Sequence, residues 1–162
     1  SELNYKILSL TKNYQNEETY FIKELSFGIG KIAAAFAPND VIVRLSDFKS
    51  NEYSDLLGGK YFEPKEENPM IGWRGASRYY SDKYKQAFGL ECKSIKYLRE
   101  EMGFENIEVM IPFVRTPGEA KQVSDLLSVH QLKRGEHGLK LIMMCELPAN
   151  ALIAEQFLEY FE

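Results

Sequence analysis

Four charged residues stand directly after short apolar runs, and their types suit the chemistry of anions. Arg44 follows Val41-Ile42-Val43, and Arg74 follows Pro69-Met70-Ile71-Gly72-Trp73. Arg115 follows Ile107 to Val114, and Glu146 follows Leu139 to Cys145. Arginine offers a planar fork of N–H donors that matches phosphate and carboxylate oxygens two at a time. A glutamate on the same rim could hold a magnesium ion that also binds the oxygens of an anionic substrate. Parallel α/β scaffolds place their chemistry at the C-terminal ends of strands, which is where these four fall. The pattern has a plainer source too, since strands must end and a charge often marks the edge. The four together leave the two readings evenly matched.

Other chemistry-bearing residues point elsewhere. Gly28-Ile29-Gly30-Lys31 lacks the GxxxxGK[ST] spacing that cradles a phosphate, and it falls within a helical pattern. The two cysteines, Cys92 and Cys145, and the two histidines, His130 and His137, form no CxxC or HxxxH pair, which argues against zinc. Cys92 falls on an apolar helix face and reads as core. Cys145 precedes Glu146 on a strand and reads as buried, with no neighbouring base to make it a nucleophile. His130 and His137 flank a basic loop containing Lys133 and Arg134 and read as solvated surface. Arg99-Glu100-Glu101 reads as a solvated helix face. Trp73, Tyr79 and Tyr80 lack the interleaved basic residues of a nucleic-acid stacking platform.

The elements that must position the rim charges follow from periodicity. Phe21, Ile22, Leu25, Ile32, Ala35 and Phe36 recur at helical spacing and predict a helix over Glu17–Ala37, weakened by Gly28 and Gly30. Before it, the segment up to about Asn16 is polar and weakly patterned. Val41-Ile42-Val43 predicts a buried strand. A long loop follows from about Ser46 to Asn68, and Pro69 to Gly75 predicts a short second strand. Tyr84, Phe88, Cys92, Ile95 and Leu98 predict an amphipathic helix within Arg78–Met102, with Gly103 as its C-cap. Ile107 to Val114 predicts a third strand, with Pro112 near its end where a missing donor matters least. Thr116-Pro117-Gly118-Glu119 reads as a capping box that opens a helix running to about His130. Leu139 to Cys145 predicts a fourth strand, and Pro148 to Glu162 a last helix. The order α, β, β, α, β, α, β, α implies a parallel sheet covered by helices.

Length and composition bound the rest. The chain has 162 residues, about one domain. Hydrophobic residues make up 44% and charged residues 27%, an ordinary globular mixture and not a disordered one. The formal net charge is −4, which argues against non-specific nucleic-acid binding, since that runs on phosphate neutralisation. No apolar run is long enough to span a membrane, and the opening Ser1-Glu2-Leu3-Asn4 shows no signal-peptide pattern. Two lone cysteines suit a reducing, cytoplasmic location.

The order of residues within these motifs carries a family resemblance. Val41-Ile42-Val43-Arg44-Leu45-Ser46-Asp47-Phe48-Lys49-Ser50-Asn51-Glu52-Tyr53 closely resembles a segment of the phosphoenolpyruvate synthases (pyruvate, water dikinases). So do Glu66 to Gly75, Val109 to Thr116 and Met143 to Pro148. The likeness covers nearly the whole chain and is weakest before about Thr19. Pyruvate phosphate dikinases and enzyme I of the sugar phosphotransferase system share looser versions, and the Asp47–Tyr53 stretch favours the synthases.

The resemblance implies part of a TIM (β/α)8 barrel that binds pyruvate and phosphoenolpyruvate, with about four parallel strands equivalent to the second to fifth. The family's arginine at the end of the second strand and that of its Asn-Pro-x-x-Gly-x-Arg motif grip the phosphoryl group, and they fall on Arg44 and Arg74. The fifth-strand glutamate that binds magnesium falls on Glu146. No family role carries over to Arg115. The first-strand substrate arginine, the sixth-strand Gly-Ser-Asn-Asp segment with the second magnesium ligand, and the cysteine that moves the enolate proton have no counterpart in the sequence. Nor do the ATP-grasp and phosphohistidine domains. The resemblance therefore implies a piece of a larger ATP-using enzyme that does not turn over alone. Open sheet edges further imply self-association. Two alternatives stay open: a pyruvate phosphate dikinase barrel, and a stand-alone module that senses phosphoenolpyruvate without chemistry.

Overall fold

A helix N-cap and a proline-marked turn set the first half of the chain. The computed structural model describes residues 2–162. The weakly patterned opening forms helix α1, Glu2–Thr11. Asn16 then accepts the Thr19 N–H at 2.8 Å and opens α2, Glu17–Phe36, which satisfies one of its orphan donors. The chain turns at Pro38 and enters strand β1, Val41–Arg44. Strands β2, Ile107–Ile111, and β3, Leu141–Met143, complete a parallel sheet in the order β1-β2-β3. Val41 lies opposite Ile107, and Val109 opposite Leu141.

Register decides which side chains share a face. One face carries Val43, Ile107, Val109, Ile111 and Leu141. It packs under α5, Lys85–Lys96, and α6, Pro117–Val129, whose buried residues include Phe88, Cys92, Ile95, Ala120, Val123 and Leu127. The opposite face carries Ile42, Arg44, Met110 and Ile142, and Ile42 is half exposed. Helices therefore cover one side of the sheet. The other side opens toward the rim charges.

Three strands form where four are expected. The segment from Pro69 to Trp73 is a run of turns, and β1 pairs directly with β2. The reason lies in its composition: Pro69 brings no N–H, and Gly72 and Gly75 supply no side chain to a ladder. What survives of the expected pairing is one bond, from Ala76 N–H to the Pro112 carbonyl at 3.1 Å. The strands also stop early. β2 ends at Ile111 and β3 at Met143, so Arg115 and Glu146 sit on the loops beyond them.

The long loop after β1 is structured. It contains α3, Ser50–Asp55, and a 3-10 turn, Gly59–Tyr61. The expected helix from Arg78 begins as α4, Ala76–Tyr79, breaks, and resumes as α5. A wider π turn at Tyr97–Glu101 then leads to Gly103 at φ 76°, the expected cap. The last helix divides at Ile153 into α7, Pro148–Leu152, and α8, Ala154–Phe157. Beyond α8, Glu162 donates its N–H to the Leu141 carbonyl at 2.9 Å and accepts the Leu141 N–H, so the start of β3 has a partner on its outer side. No helix among the described residues is long and apolar enough to cross a membrane.

Candidate functional site

Phe113 is the pivot of the rim. It follows Pro112 beyond β2 and takes a left-handed backbone, φ 53°, which is costly for a residue with a bulky side chain and tends to mark functional sites. Its N–H donates to Glu146 Oε1 at 2.8 Å. Its ring lies 4.0 Å from the Arg74 guanidinium carbon, a stacked cation–π contact. One residue thus brings Arg74 and Glu146, from distant parts of the chain, to the end of β2.

Arg74 is held from several sides. Its Nε and Nη2 donate to the two Asp47 carboxylate oxygens at 2.9 and 2.8 Å, a bidentate pair that is nearly buried. Nη2 also donates to the Asp47 carbonyl at 3.2 Å, and Nη1 to the Met70 carbonyl at 3.3 Å. The preceding turn is fixed by Glu66, which accepts the Trp73 N–H at 3.0 Å and the Ser50 hydroxyl at 2.6 Å. A Cβ on Gly72 would lie 2.4 Å from that carboxylate. Gly75, at φ 57°, lets the chain press onto β2's end, where a Cβ would come within 2.6 Å of the Pro112 carbonyl.

Arg44 and Glu146 keep free capacity. Arg44, the last residue of β1, is exposed, and its Nη1 reaches the Met144 sulfur at 3.8 Å. It has no carboxylate partner among the described residues. Glu146 is half-buried, and beyond Oε1 its second oxygen has no hydrogen-bond partner among the described residues. Its loop is held by Asn150, which accepts the Leu147 N–H at 2.9 Å and donates to the Val114 carbonyl at 2.8 Å. No group of three or more His, Cys, Asp or Glu side chains placed to hold a metal ion occurs among the described residues.

Arg115 supports the turn that carries Arg74. It donates to the Gly72 carbonyl at 2.8 Å and the Arg74 carbonyl at 3.4 Å, while Glu119 lies 3.8 Å away. Thr116 caps α6 as expected, accepting the Glu119 N–H at 3.1 Å. The returning Glu119 carboxylate takes the Arg115 N–H at 2.7 Å instead of the cap's own. It also accepts the Tyr80 hydroxyl, whose pKa is raised to about 12 by burial and that bond.

Several buried polar residues escaped notice in the sequence. Arg78 is fully buried, forks onto Glu63 at 2.7 and 2.8 Å, and stacks on Trp73 and Tyr53 at 4.0 and 4.1 Å. This cage ties the long loop to α4. Glu91, on the buried face of α5, accepts both the N–H and hydroxyl of Ser46, the residue before Asp47. The signal for Glu91 was present: it shares the helical spacing of Phe88, Cys92 and Ile95, so a carboxylate had to be buried there.

Cysteines, histidines and Arg99 divide differently from expectation. Cys92 is core, and burial raises its thiol pKa strongly. Cys145 is exposed, because β3 ends before it. His130 is half-buried with its ring edge-on to Phe88, and burial lowers its pKa. Arg99 is no free surface charge either. It donates to the carbonyls of Glu105, Ile107 and His137, which closes the entry to β2.

Residues 11–162 match the family described as PEP-utilising enzyme, PEP-binding domain. The chain belongs to this family. It is 56% identical over 156 residues to the phosphoenolpyruvate synthase of Aquifex aeolicus, covering 96% of this chain and 18% of that protein. It is 59% identical over 149 residues to that of Pseudomonas aeruginosa, 92% of this chain and 19% of the relative. With that of Escherichia coli it shares 54% over 161 residues, 99% of this chain and 20% of the relative. The chain therefore spans about a fifth of the length of the curated relatives it matches.

Proposed function

We propose that this chain is part of the phosphoenolpyruvate- and pyruvate-binding barrel of a phosphoenolpyruvate synthase. The whole enzyme would convert ATP, pyruvate and water to phosphoenolpyruvate, AMP and phosphate through a phosphohistidine. Its three-stranded sheet would be one arc of a (β/α)8 barrel, with the open face of Ile42, Arg44, Met110 and Ile142 toward the barrel interior. The observation that carries this reading is the meeting of Arg74 and Glu146 on Phe113 just beyond the end of β2.

The residues divide the work by their geometry. Arg44, with no carboxylate partner, would neutralise the transferring phosphoryl group. Arg74, aimed by Asp47, would hold the same group in a fixed direction. Glu146 fits a magnesium site in part. It offers one free oxygen, and magnesium commonly takes one or two carboxylates with substrate oxygens and water. When bound there, magnesium would supply positive charge for the enolate oxygen of pyruvate. Arg115 would keep the Gly72–Arg74 turn in place. Histidine phosphorylation and the enolate proton transfer would fall to residues outside this chain, so the chain alone would not turn over.

The test uses the full-length protein with ATP, pyruvate and magnesium, with and without added phosphate. Pyruvate-dependent AMP and free phosphate without added phosphate is the expected result. A strict phosphate requirement with pyrophosphate release would make it a dikinase and overturn the reading.

The isolated chain would also self-associate. The outer edge of β1 has no strand partner among the described residues, and Ile42, Phe48 and Phe21 beside it are 51%, 49% and 40% exposed. Sedimentation at micromolar concentration should show a species heavier than the monomer. A strict monomer refutes this.

A further inference from the structure

Glu91 presents a cost without an evident return. It is the one acidic residue of α5 and is 7% exposed among Phe88, Cys92 and Ile95. Oε1 accepts the Ser46 N–H at 2.7 Å and the Ser46 hydroxyl at 3.0 Å, while Oε2 is buried with no hydrogen-bond partner among the described residues. No cation among the described residues pairs with it. Leaving a buried carboxyl oxygen unsatisfied is destabilising, and an apolar side chain would fill the same space without that cost. What the carboxyl achieves must therefore be looked for at Ser46.

Ser46 is gripped at every polar atom. Besides the two bonds to Glu91, its carbonyl accepts the hydroxyl of the fully buried Tyr79 at 2.7 Å. Three hydrogen bonds from two rigidly packed side chains thus fix one loop residue. Arg44 lies two residues before it, and Asp47, the bidentate partner of Arg74, lies next to it. A cleft of about 460 Å³ runs past Glu91 and is lined by Arg44 and Asp47 on one side and the apolar Phe21, Leu25 and Ile29 of α2 on the other.

We propose that Glu91 is a positioning residue for anion binding: it fixes Ser46, and through the adjoining Asp47 it sets where the Arg74 guanidinium stands. This rests on the reading of Arg74 as a ligand of the phosphoryl group. Glu91 touches no reacting atom. It acts through the backbone between Ser46 and Asp47, and the path ends where the Arg74 plane stacks on Phe113.

The experiment measures phosphoenolpyruvate binding to the full-length protein by calorimetry, with histidine phosphorylation from ATP followed alongside. Displacing a binding group by an ångström can cost as much as a hundredfold, so Glu91→Ala should weaken phosphoenolpyruvate binding by roughly ten- to a hundredfold. Glu91→Gln keeps an oxygen that accepts both Ser46 bonds and should stay within about threefold of the unmodified protein. Both variants should retain histidine phosphorylation. On an Asp47→Ala background, where the path is already cut, Glu91→Ala should add less than about twofold, the non-additivity expected of coupled residues. Unchanged binding in Glu91→Ala, a Gln variant as weak as the Ala variant, or effects that multiply on the Asp47→Ala background would each overturn the proposal. Should Glu91→Ala not fold, Ser46→Ala carries the test: a loss of about threefold or more supports the path, and unchanged binding overturns it. If the unmodified protein does not bind phosphoenolpyruvate, the functional reading itself fails and takes this proposal with it.

Discussion

Replacing Glu91 by glutamine should remove a pH dependence of stability that the unmodified chain carries. Burial pushes the Glu91 carboxyl from 4.5 up to about 7, against the two Ser46 hydrogen bonds that favour its ionised form. The sign follows from which state holds the proton. Between pH 4.5 and about 7 the unfolded chain releases it and the folded chain keeps it, so stability falls as pH rises through this window and levels off above it. At about 1.4 kcal/mol per pH unit, the interval corresponds to roughly 3 kcal/mol. That is a large share of the 5–15 kcal/mol typical of a domain.

The assay is urea unfolding of the chain and its Glu91→Gln variant at one protein concentration across pH 4 to 8. His130 works in the opposite direction: burial and nearby Lys93 depress its pKa, so its contribution is lost as pH falls. It is common to both proteins and cancels in their difference. The difference should move by roughly 3 kcal/mol in favour of the glutamine variant between pH 4 and 8, with a plateau above 7. Parallel curves would refute the reasoning. So would a carbon NMR titration that places the Glu91 carboxyl near 4.5.

Arg44→Ala in the full-length protein should abolish phosphoenolpyruvate formation and leave histidine phosphorylation by ATP largely intact; equal loss of both would refute its assignment to the phosphoryl group. Gly75→Ala should destabilise the chain by about 2–4 kcal/mol, because it adds a Cβ at φ 57° and 2.6 Å from the Pro112 carbonyl, and a loss below about 0.5 kcal/mol in urea unfolding would contradict the docked turn. Arg78→Met should cost about 3–5 kcal/mol, since it strands Glu63 as a buried charge, and adding Glu63→Met should recover much of that. A double variant no more stable than Arg78→Met would mean that the aromatic cage, and not the ion pair, holds the loop.

How much of this was legible depended on what kind of force positions each residue. Arg44 ends β1 as the sequence expects, because a β-branched run makes a strand and local pattern sets its end, but the strand is only partly buried, with Ile42 half exposed on the open face of the sheet. Thr116 and Pro117 start α6 for equally local reasons. Arg74 reaches the rim by another route. Its segment forms no strand, and what places it are partners 27 and 39 residues away, Asp47 and Phe113. Such contacts leave no period to detect. The left-handed backbone of Phe113 is likewise imposed by tertiary contacts at Gly75 and Glu146 and has no signature in a Pro-Phe-Val string. Glu91 lies between these cases. Its burial could be read from helical spacing, but its partner Ser46, 45 residues earlier, could not.

As anion ligands the three rim arginines would therefore be unequal, though the sequence presents them alike. Arg74 is neutralised by Asp47, and its Nε and Nη2 are committed. Only Nη1 can turn to a substrate, and it must first leave the Met70 carbonyl and sulfur. Arg115 spends its guanidinium on the Gly72 and Arg74 carbonyls and faces Glu119. Of the three, Arg44 alone carries a charge with no carboxylate beside it among the described residues. A doubly charged phosphoryl group would thus meet one net positive charge, from an exposed side chain at a strand end, and one oriented but neutralised donor. That division explains why the buried support lies under Asp47 and not under Arg44. A neutralised donor contributes through direction, and direction is what the Glu91–Ser46–Asp47 path and the Phe113 ring hold. An unpaired charge contributes through field, which tolerates movement.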